Sequence, residues 1–290
     1  MLSCSEDSSI RLWNLSTRTT VCAYRSSAES LHPLWDVACA PLGYYFASAS
    51  HDRTAALWSP ERVSPLRRFV GHLSDVETVA FHPNGTMVAT GSLDRTVRMW
   101  DVRQGQAVRV LTGHRGRVSS LAFSPNGQFL VSGGKDAQLF VWDIPAGKQH
   151  TTLPWSGRGT AAASHSEVRA LSYSADGTVL ASATTDRRVR LWDAVLFQAG
   201  SGDGKDRGGG DDSSDIDDSD AGSNNGAPAV GLGYRNDMLT ALPTRATDVL
   251  GLRFTERNLL IAAGPARSAA AATGSKQMTV TAPSVAGAAN

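Results

Sequence analysis

Short apolar runs alternate with turn-forming residues along most of the chain, and the alternation repeats over a long period. Residues 71–101, GHLSDVETVAFHPNGTMVATGSLDRTVRMWD, contain one whole unit. Gly71-His72 opens it and Val76–Phe81 is an apolar strand. His82-Pro83-Asn84-Gly85 is a turn, a second strand follows, the chain turns again at Asp94, and Trp100-Asp101 closes the unit. Apolar runs of this length bounded by Gly, Pro, Asn and Asp predict β-strands. The preceding unit gives Leu34–Val37 as its inner strand, a turn at Pro41–Tyr44 and a further strand at 45–50. In the following unit Ser124-Pro125-Asn126-Gly127 is a hairpin turn whose glycine permits a positive φ. Val249–Phe254 and Leu259–Ala263 predict two more strands joined at Glu256-Arg257-Asn258.

Tryptophan marks the repeat. Units end at Trp13, Trp58, Trp100, Trp142 and Trp192, at intervals of 45, 42, 42 and 50 residues, a period that holds four short strands. Six residues before each tryptophan stands an aspartate: Asp7, Asp52, Asp94, Asp136 and Asp186. Four before each aspartate stands a hydroxyl: Ser3, Ser48, Thr90, Ser132 and Ser182. His72 and His114 lie 22 residues before Asp94 and Asp136, and His165 lies 21 before Asp186. The second unit has Glu29-Ser30 where Gly-His is expected, with His32 close enough to substitute. A buried carboxylate needs donors around it, and imidazole, hydroxyl and indole N–H supply them. The spacing therefore predicts one hydrogen-bonded chain per unit. Ser, His and Asp also resemble a hydrolase triad, but five copies at one spacing read as a structural network.

Composition narrows the function classes. Lys+Arg 28 against Asp+Glu 27 leaves a net charge of +1, so no global basic field draws the chain to nucleic acid or an anionic membrane. Hydrophobic residues make up 41%, enough for a sizeable core. Cys4, Cys22 and Cys39 have no CxxC spacing and fall on predicted strands, so they are expected as buried hydrophobes in a reducing compartment. No apolar run is long enough for a membrane helix and the N-terminus has no signal-peptide character, so the expectation is a soluble intracellular protein. No P-loop, GxGxxG after a strand, HExxH or GxSxG occurs. No catalytic residue, metal site, cofactor or small-molecule substrate is expected.

Gly71-His72, Gly113-His114, Trp100-Asp101, Trp142-Asp143 and Trp192-Asp193 resemble the signatures of the WD40 repeat family, with Asn14 and Ser59 in place of the final Asp in two units. The resemblance covers residues 1–197 and implies an all-β propeller. The units fall at 1–30 (partial), 31–70, 71–112, 113–164 and 165–198, giving about five to six blades against the family's seven. Ser3 and Asp7 already belong to a second strand and its turn. The expectation is a chain truncated at its N-terminus, or one whose missing strand comes from the C-terminal end. Residues 154–164 lengthen one interval as a loop between blades. Residues 199–245 read as a disordered Gly/Asp/Ser-rich insert, 246–264 as a terminal half-blade and 265–290 as a disordered tail. The acidic insert reads either as a solvated loop or as a tether for a basic partner, phosphorylated at Ser213 or Ser214. His82 is expected to be an exposed turn residue.

In WD40 propellers the loop after Gly-His and the turn holding the repeated Asp emerge on one face, generally used for protein partners. Carried onto this sequence, the resemblance implies a face bearing His51, Arg53, Leu73, Asp75, Leu93, Arg95, Arg115, Arg117, Lys135, Arg187 and Arg188. Other stretches are not consensus: Gly43-Tyr44-Tyr45-Phe46 with His51-Asp52-Arg53, Pro65-Leu66-Arg67, and Phe254-Thr255 with Arg257-Asn258-Leu259. These are similar to the WD-repeat TBP-associated factors of general transcription factor TFIID. That similarity implies a nuclear, non-enzymatic scaffold in transcription initiation, packed against histone-fold TBP-associated factors, and in some organisms a place in the SAGA coactivator. The alternative is another WD40 adaptor, such as a ubiquitin-ligase substrate receptor or a microtubule-associated regulator. A propeller enzyme would need convergent acids or a metal cluster in the central channel.

Overall fold

The computed structural model describes residues 1–25, 32–153, 166–195, 238–244, 248–264 and 280–281. They form consecutive antiparallel sheets in which strand order follows chain order. The first sheet is β1 (Leu2–Cys4), β2 (Ser9–Asn14) and β3 (Thr19–Arg25). The second is β4 (Leu34–Cys39), β5 (Phe46–Ser50), β6 (Thr54–Trp58) and β7 (Arg67–Val70). The third is β8 (Val76–Phe81), β9 (Met87–Ser92), β10 (Thr96–Asp101) and β11 (Ala107–Thr112). The fourth is β12 (Val118–Phe123), β13 (Phe129–Gly134), β14 (Leu139–Asp143) and β15 (Lys148–Leu153). The fifth is β16 (Val168–Tyr173), β17 (Val179–Thr184), β18 (Arg188–Asp193) and β19 (Met238–Pro243). The last is β20 (Gly251–Phe254), β21 (Leu259–Ala263) and β22 (Val280–Thr281). The inner strands β4, β8, β12, β16 and β20 pack side by side, each against the next, so the sheets are blades of a propeller.

Burial explains why the strands read as they do. Second strands such as β13 and β5 are buried along their whole length, because both faces meet a neighbouring blade. Outer strands such as β7 and β11 are mostly exposed. Small residues let the blades close up. A Cβ at Gly91 would lie 2.7 Å from Val118 Cγ1, and one at Gly133 would lie 2.6 Å from Val168 Cγ1.

Each apolar cluster is a seam between two blades rather than the inside of one. Ala47, Leu57 and Phe69 of the second blade meet Val79, Val88 and Trp100 of the third. Val97, Met99 and Leu111 of the third meet Leu121, Phe140 and Trp142 of the fourth. Equivalent seams hold Trp58 against Tyr24 and Trp192 against Val141 and Leu153. The indole thus does double service: it belongs to one blade's polar network and packs on the preceding blade, with Phe69 5.5 Å from Trp100.

Several expectations are corrected. The fifth blade is completed by β19, inside the span read as a disordered 199–245 insert, so the acidic stretch interrupts a blade between its third and fourth strands. Met238 packs β19 against the seam of the fourth and fifth blades, which the composition of the longer span hid. A short β22 pairs with β21 within the span read as tail, 265–290. Cys39 is exposed, whereas Cys4 and Cys22 are half-buried. His82 is buried: its Nε2 lies 2.9 Å from Gly127 O of the next blade, Asn84 N–H donates to its Nδ1, and its ring packs on Phe123. The first blade has three strands, and among the described residues no C-terminal strand pairs with β1. Residues 154–164 lie outside the described residues. Among the described residues no helix is long and apolar enough to cross a membrane.

The His82 contact joins two blades through a single side chain. His82→Phe, which keeps a ring but loses the bond to Gly127, is expected to lower stability by about 1 kcal/mol, and His82→Ala by more, in urea denaturation followed by tryptophan fluorescence.

Candidate protein-docking face

The repeated aspartates build turns before they build anything else. Oδ1 of Asp94 accepts from Thr96 N–H at 2.9 Å and from its hydroxyl at 2.6 Å. Asp7 and Asp52 repeat both distances with Ser9 and Thr54. The residue between is driven into left-handed backbone: Ser8, Arg53, Arg95, Ala137 and Arg187 have φ of 67, 66, 69, 57 and 63°. Three of the five are arginines, exposed at the same place on three blades.

Behind the turns run the predicted networks. In the third blade Trp100 Nε1 donates to Thr90 Oγ1 at 2.8 Å, His72 Nε2 lies 2.7 Å from that oxygen, and His72 Nδ1 lies 2.8 Å from Asp94 Oδ2. The indole is only a donor and the carboxylate only an acceptor. Every atom is therefore satisfied when the imidazole is neutral, with its proton on Nδ1 and Thr90 donating to Nε2. The fourth blade repeats the chain through Trp142, Ser132, His114 and Asp136 at 2.8, 2.7 and 2.8 Å. Burial alone would push the Asp94 carboxyl up. The bonds from Thr96, Leu73 N–H and His72 outweigh it and hold the group at about 2. Burial pulls His72 below its usual value despite the attraction of Asp94. At Asp136 the bond and charge of His114 again overcome burial and lower the carboxyl.

The other blades solve the same problem differently. Trp13 donates to Ser3 at 2.8 Å in the first and Trp58 to Ser48 at 2.9 Å in the second, with no imidazole between hydroxyl and aspartate among the described residues. His32 does not take that place. A cavity of about 10 Å³, lined by Ser48, Asp52, Trp58 and His32, lies there instead. In the fifth blade Trp192 donates to Ser182 at 2.9 Å, and the partner of Asp186 is Arg190. This buried guanidinium lies 2.5 Å from Asp186 Oδ2 and 3.0 Å from Thr184 Oγ1. Burial pushes the Asp186 carboxyl up, and the bonds from Arg190 and Thr184 bring it below its usual value. His165 lies outside the described residues, and Arg190, two residues before Trp192, carried no sequence signal.

The inner strands add a second layer. Register shifts at Leu34/Asp36, Val76/Thr78, Val118/Ser120 and Val168/Ala170 place a bulge at Trp35, Glu77, Ser119 and Arg169. A bulge re-aims its side chain. Arg117, just before β12, pairs with Glu77 at 2.9 Å and Glu167 at 2.8 Å, and Arg169 stands 3.4 Å from Glu167. Burial holds the Glu77 carboxyl above its usual range, against the pull of Arg117. Asp36 ties β4 to β8, accepting from Thr78 Oγ1 and Val79 N–H at 3.0 Å each.

These turns and loops come together as one surface. Leu73 N–H and Arg115 N–H donate to Asp94 and Asp136, so the residues after Gly-His lie over the aspartate turns. Leu93 N–H bonds to Asp75 O and Lys135 N–H to Arg117 O. His51, Arg53, Leu73, Leu93, Arg95, Arg115, Lys135, Arg187 and Arg188 are exposed. Asp75 and Arg117 are half-buried, since Asp75 holds His51 Nδ1 at 2.5 Å and Arg117 lies between its two glutamates. Arg187 stands 3.4 Å from Asp248. Among the described residues no group of three or more His, Cys, Asp or Glu side chains is placed to hold a metal ion.

Comparison with known families matches the WD domain, G-beta repeat, at residues 26–59, 63–101, 105–143 and 159–193, together about half of the chain. The chain belongs to the WD40 repeat family. The matched WD40 units cover the four regular repeats and stop before the interrupted end of the fifth blade. A separate similarity, 37% identity over 81 residues, is to Transcription initiation factor TFIID subunit 5 of Caenorhabditis elegans. It spans 28% of this chain and 12% of that protein.

The WD40 networks make two expectations. Asp94→Ala strands the donors of His72, Thr96 and Leu73 and is expected to cost about 1 to 3 kcal/mol, whereas Asp52→Ala, with no imidazole to strand, costs less; paired urea titrations check the ranking. Stability is also expected to fall with acid in two stages. Burial favours neutral His72, so the unfolded imidazole protonates first and stability declines below about pH 6.5. The depressed Asp94 carboxyl adds stability present above about pH 3.9 and lost as the pH falls towards its folded value. Melting temperatures across pH 7 to 2 measure both, and His72→Gln removes part of the first stage.

Proposed function

We propose that this chain is a non-catalytic scaffold segment of a TFIID-like transcription initiation assembly, acting in the nucleus and presenting its turn face to protein subunits. The similarity to TFIID subunit 5 supports the assembly, and the WD40 fold supports protein docking. One observation carries the non-catalytic reading. The hydroxyls that mimic a nucleophile, Thr90 and Ser132, lie buried between an indole and an imidazole, with relative exposure of 0% each. No substrate reaches them, and their bonds are spent on holding a blade. Histone-fold TBP-associated factors are the proposed partners, in TFIID or in a SAGA-like complex. A net charge of +1 argues against direct sequence-specific DNA binding.

Affinity purification of the tagged chain from nuclear extract tests this. Recovery of histone-fold TBP-associated factors is the expected outcome; recovery of cullin adaptors or tubulin in their place would instead establish a different WD40 adaptor. The Asp136→Asn substitution is expected to change thermal stability and no catalytic property, because its carboxylate serves the fold alone.

A further inference from the structure

The acids on the turn face are already engaged. Asp94 and Asp136 hold His72 and His114, Asp75 holds His51, Asp186 holds Arg190, and Glu77 and Glu167 share Arg117. Arg117 and Arg187 are paired as well, but four other cations of the face are not. Among the described residues no ion pair or side-chain hydrogen bond engages Arg53, Arg95, Arg115 or Lys135. The network that locks the blades thus leaves positive charge on blades two to four although the chain as a whole is nearly neutral.

Apolar surface lies among these cations. Leu73 is 77% exposed and Leu93 42%, both on the third blade beside Arg95. Between blades two and three a cleft of about 580 Å³ is lined by His32, His51, Arg53, Leu73, Ser74 and the two acids Asp52 and Asp75. That volume is in the range of pockets for drug-sized ligands, so it takes a side chain together with neighbouring peptide atoms.

We infer that this face binds an acidic peptide segment carrying a large apolar side chain, which seats in the cleft against Leu73 while flanking carboxylates meet Arg53 on the second-blade side and Arg95, Arg115 and Lys135 on the side of the third and fourth blades. The inference rests on the docking-face reading above and names the partner's chemistry. Nucleic acid fits less well. A phosphodiester chain gains nothing from the leucines and is repelled by Asp52 and Asp75 in the cleft, whereas a single apolar side chain between acidic neighbours avoids both. Guanidinium groups also pair carboxylates in bidentate geometry.

Fluorescence anisotropy with the full chain and a labelled peptide of aspartates around one central leucine tests it. Binding is expected to weaken with added salt and to fall about tenfold in the Arg95→Glu, Arg115→Glu double variant. Leu73→Ser, or replacement of the peptide leucine by serine, is expected to cost a similar factor. Arg67→Glu, on the exposed outer strand β7, serves as the control and leaves binding unchanged. All these side chains are exposed, so unaltered melting curves confirm that folding is intact. Equal binding by the double variant, or tighter binding to duplex DNA of matched charge, overturns the inference. If the double variant loses its extract partners but neither protein binds the peptide, the acidic-segment assignment falls and the docking face stands.

Discussion

A buried indole N–H must find an acceptor, and that requirement organises blades two to five, whose Trp58, Trp100, Trp142 and Trp192 are buried. The tryptophan packs across the seam to the preceding sheet, which takes it out of water. Its donor then needs the hydroxyl on the neighbouring strand, at 2.8 to 2.9 Å in these blades and 2.8 Å for the half-buried Trp13 of the first. The hydroxyl in turn needs a second partner, and the aspartate beyond it needs donors. Packing between blades and hydrogen bonding within a blade are therefore one problem, and neither is solved without the other. The seams explain why stability is distributed: no blade has an interior of its own.

The sequence exposed this network because its members recur at constant intervals, and a constant interval survives the loss of any single member. Trp, Asp and hydroxyl positions were legible for that reason, and so were the strands between them. What lacked recurrence stayed hidden. Among the described residues Arg190 meets the repeated aspartate in one blade only, so no spacing announced it. His82 looked like a turn residue, and its burial depends on the turn of the next blade, which lies 45 residues away. The bulged positions Trp35, Glu77, Ser119 and Arg169 are chemically unlike one another, and only the shared backbone irregularity relates them. β19 was lost within a span dominated by Gly, Asp and Ser.

The surface follows from the interior. Once the turn aspartates are committed to the blades, the residue after each is left in a left-handed conformation with its side chain projecting outward. Arginine is not favoured there, since the Cβ crowds the backbone at about 1 kcal/mol relative to glycine. Three such positions nonetheless carry arginine, so local backbone preference does not account for the charge they place on the face.

The interrupted fifth blade has a consequence for how the molecule assembles. β11 begins six residues after β10 ends and β15 five after β14, so those sheets can zip up as local meanders. β19 must instead be captured by β18 across the span from Asp193 to Met238, a loop closure that costs about 2 kcal/mol more in chain entropy. By loop closure alone β19 is thus expected to dock last among the outer strands and to be released first. Timing, and not only shape, is written into where the insertion falls.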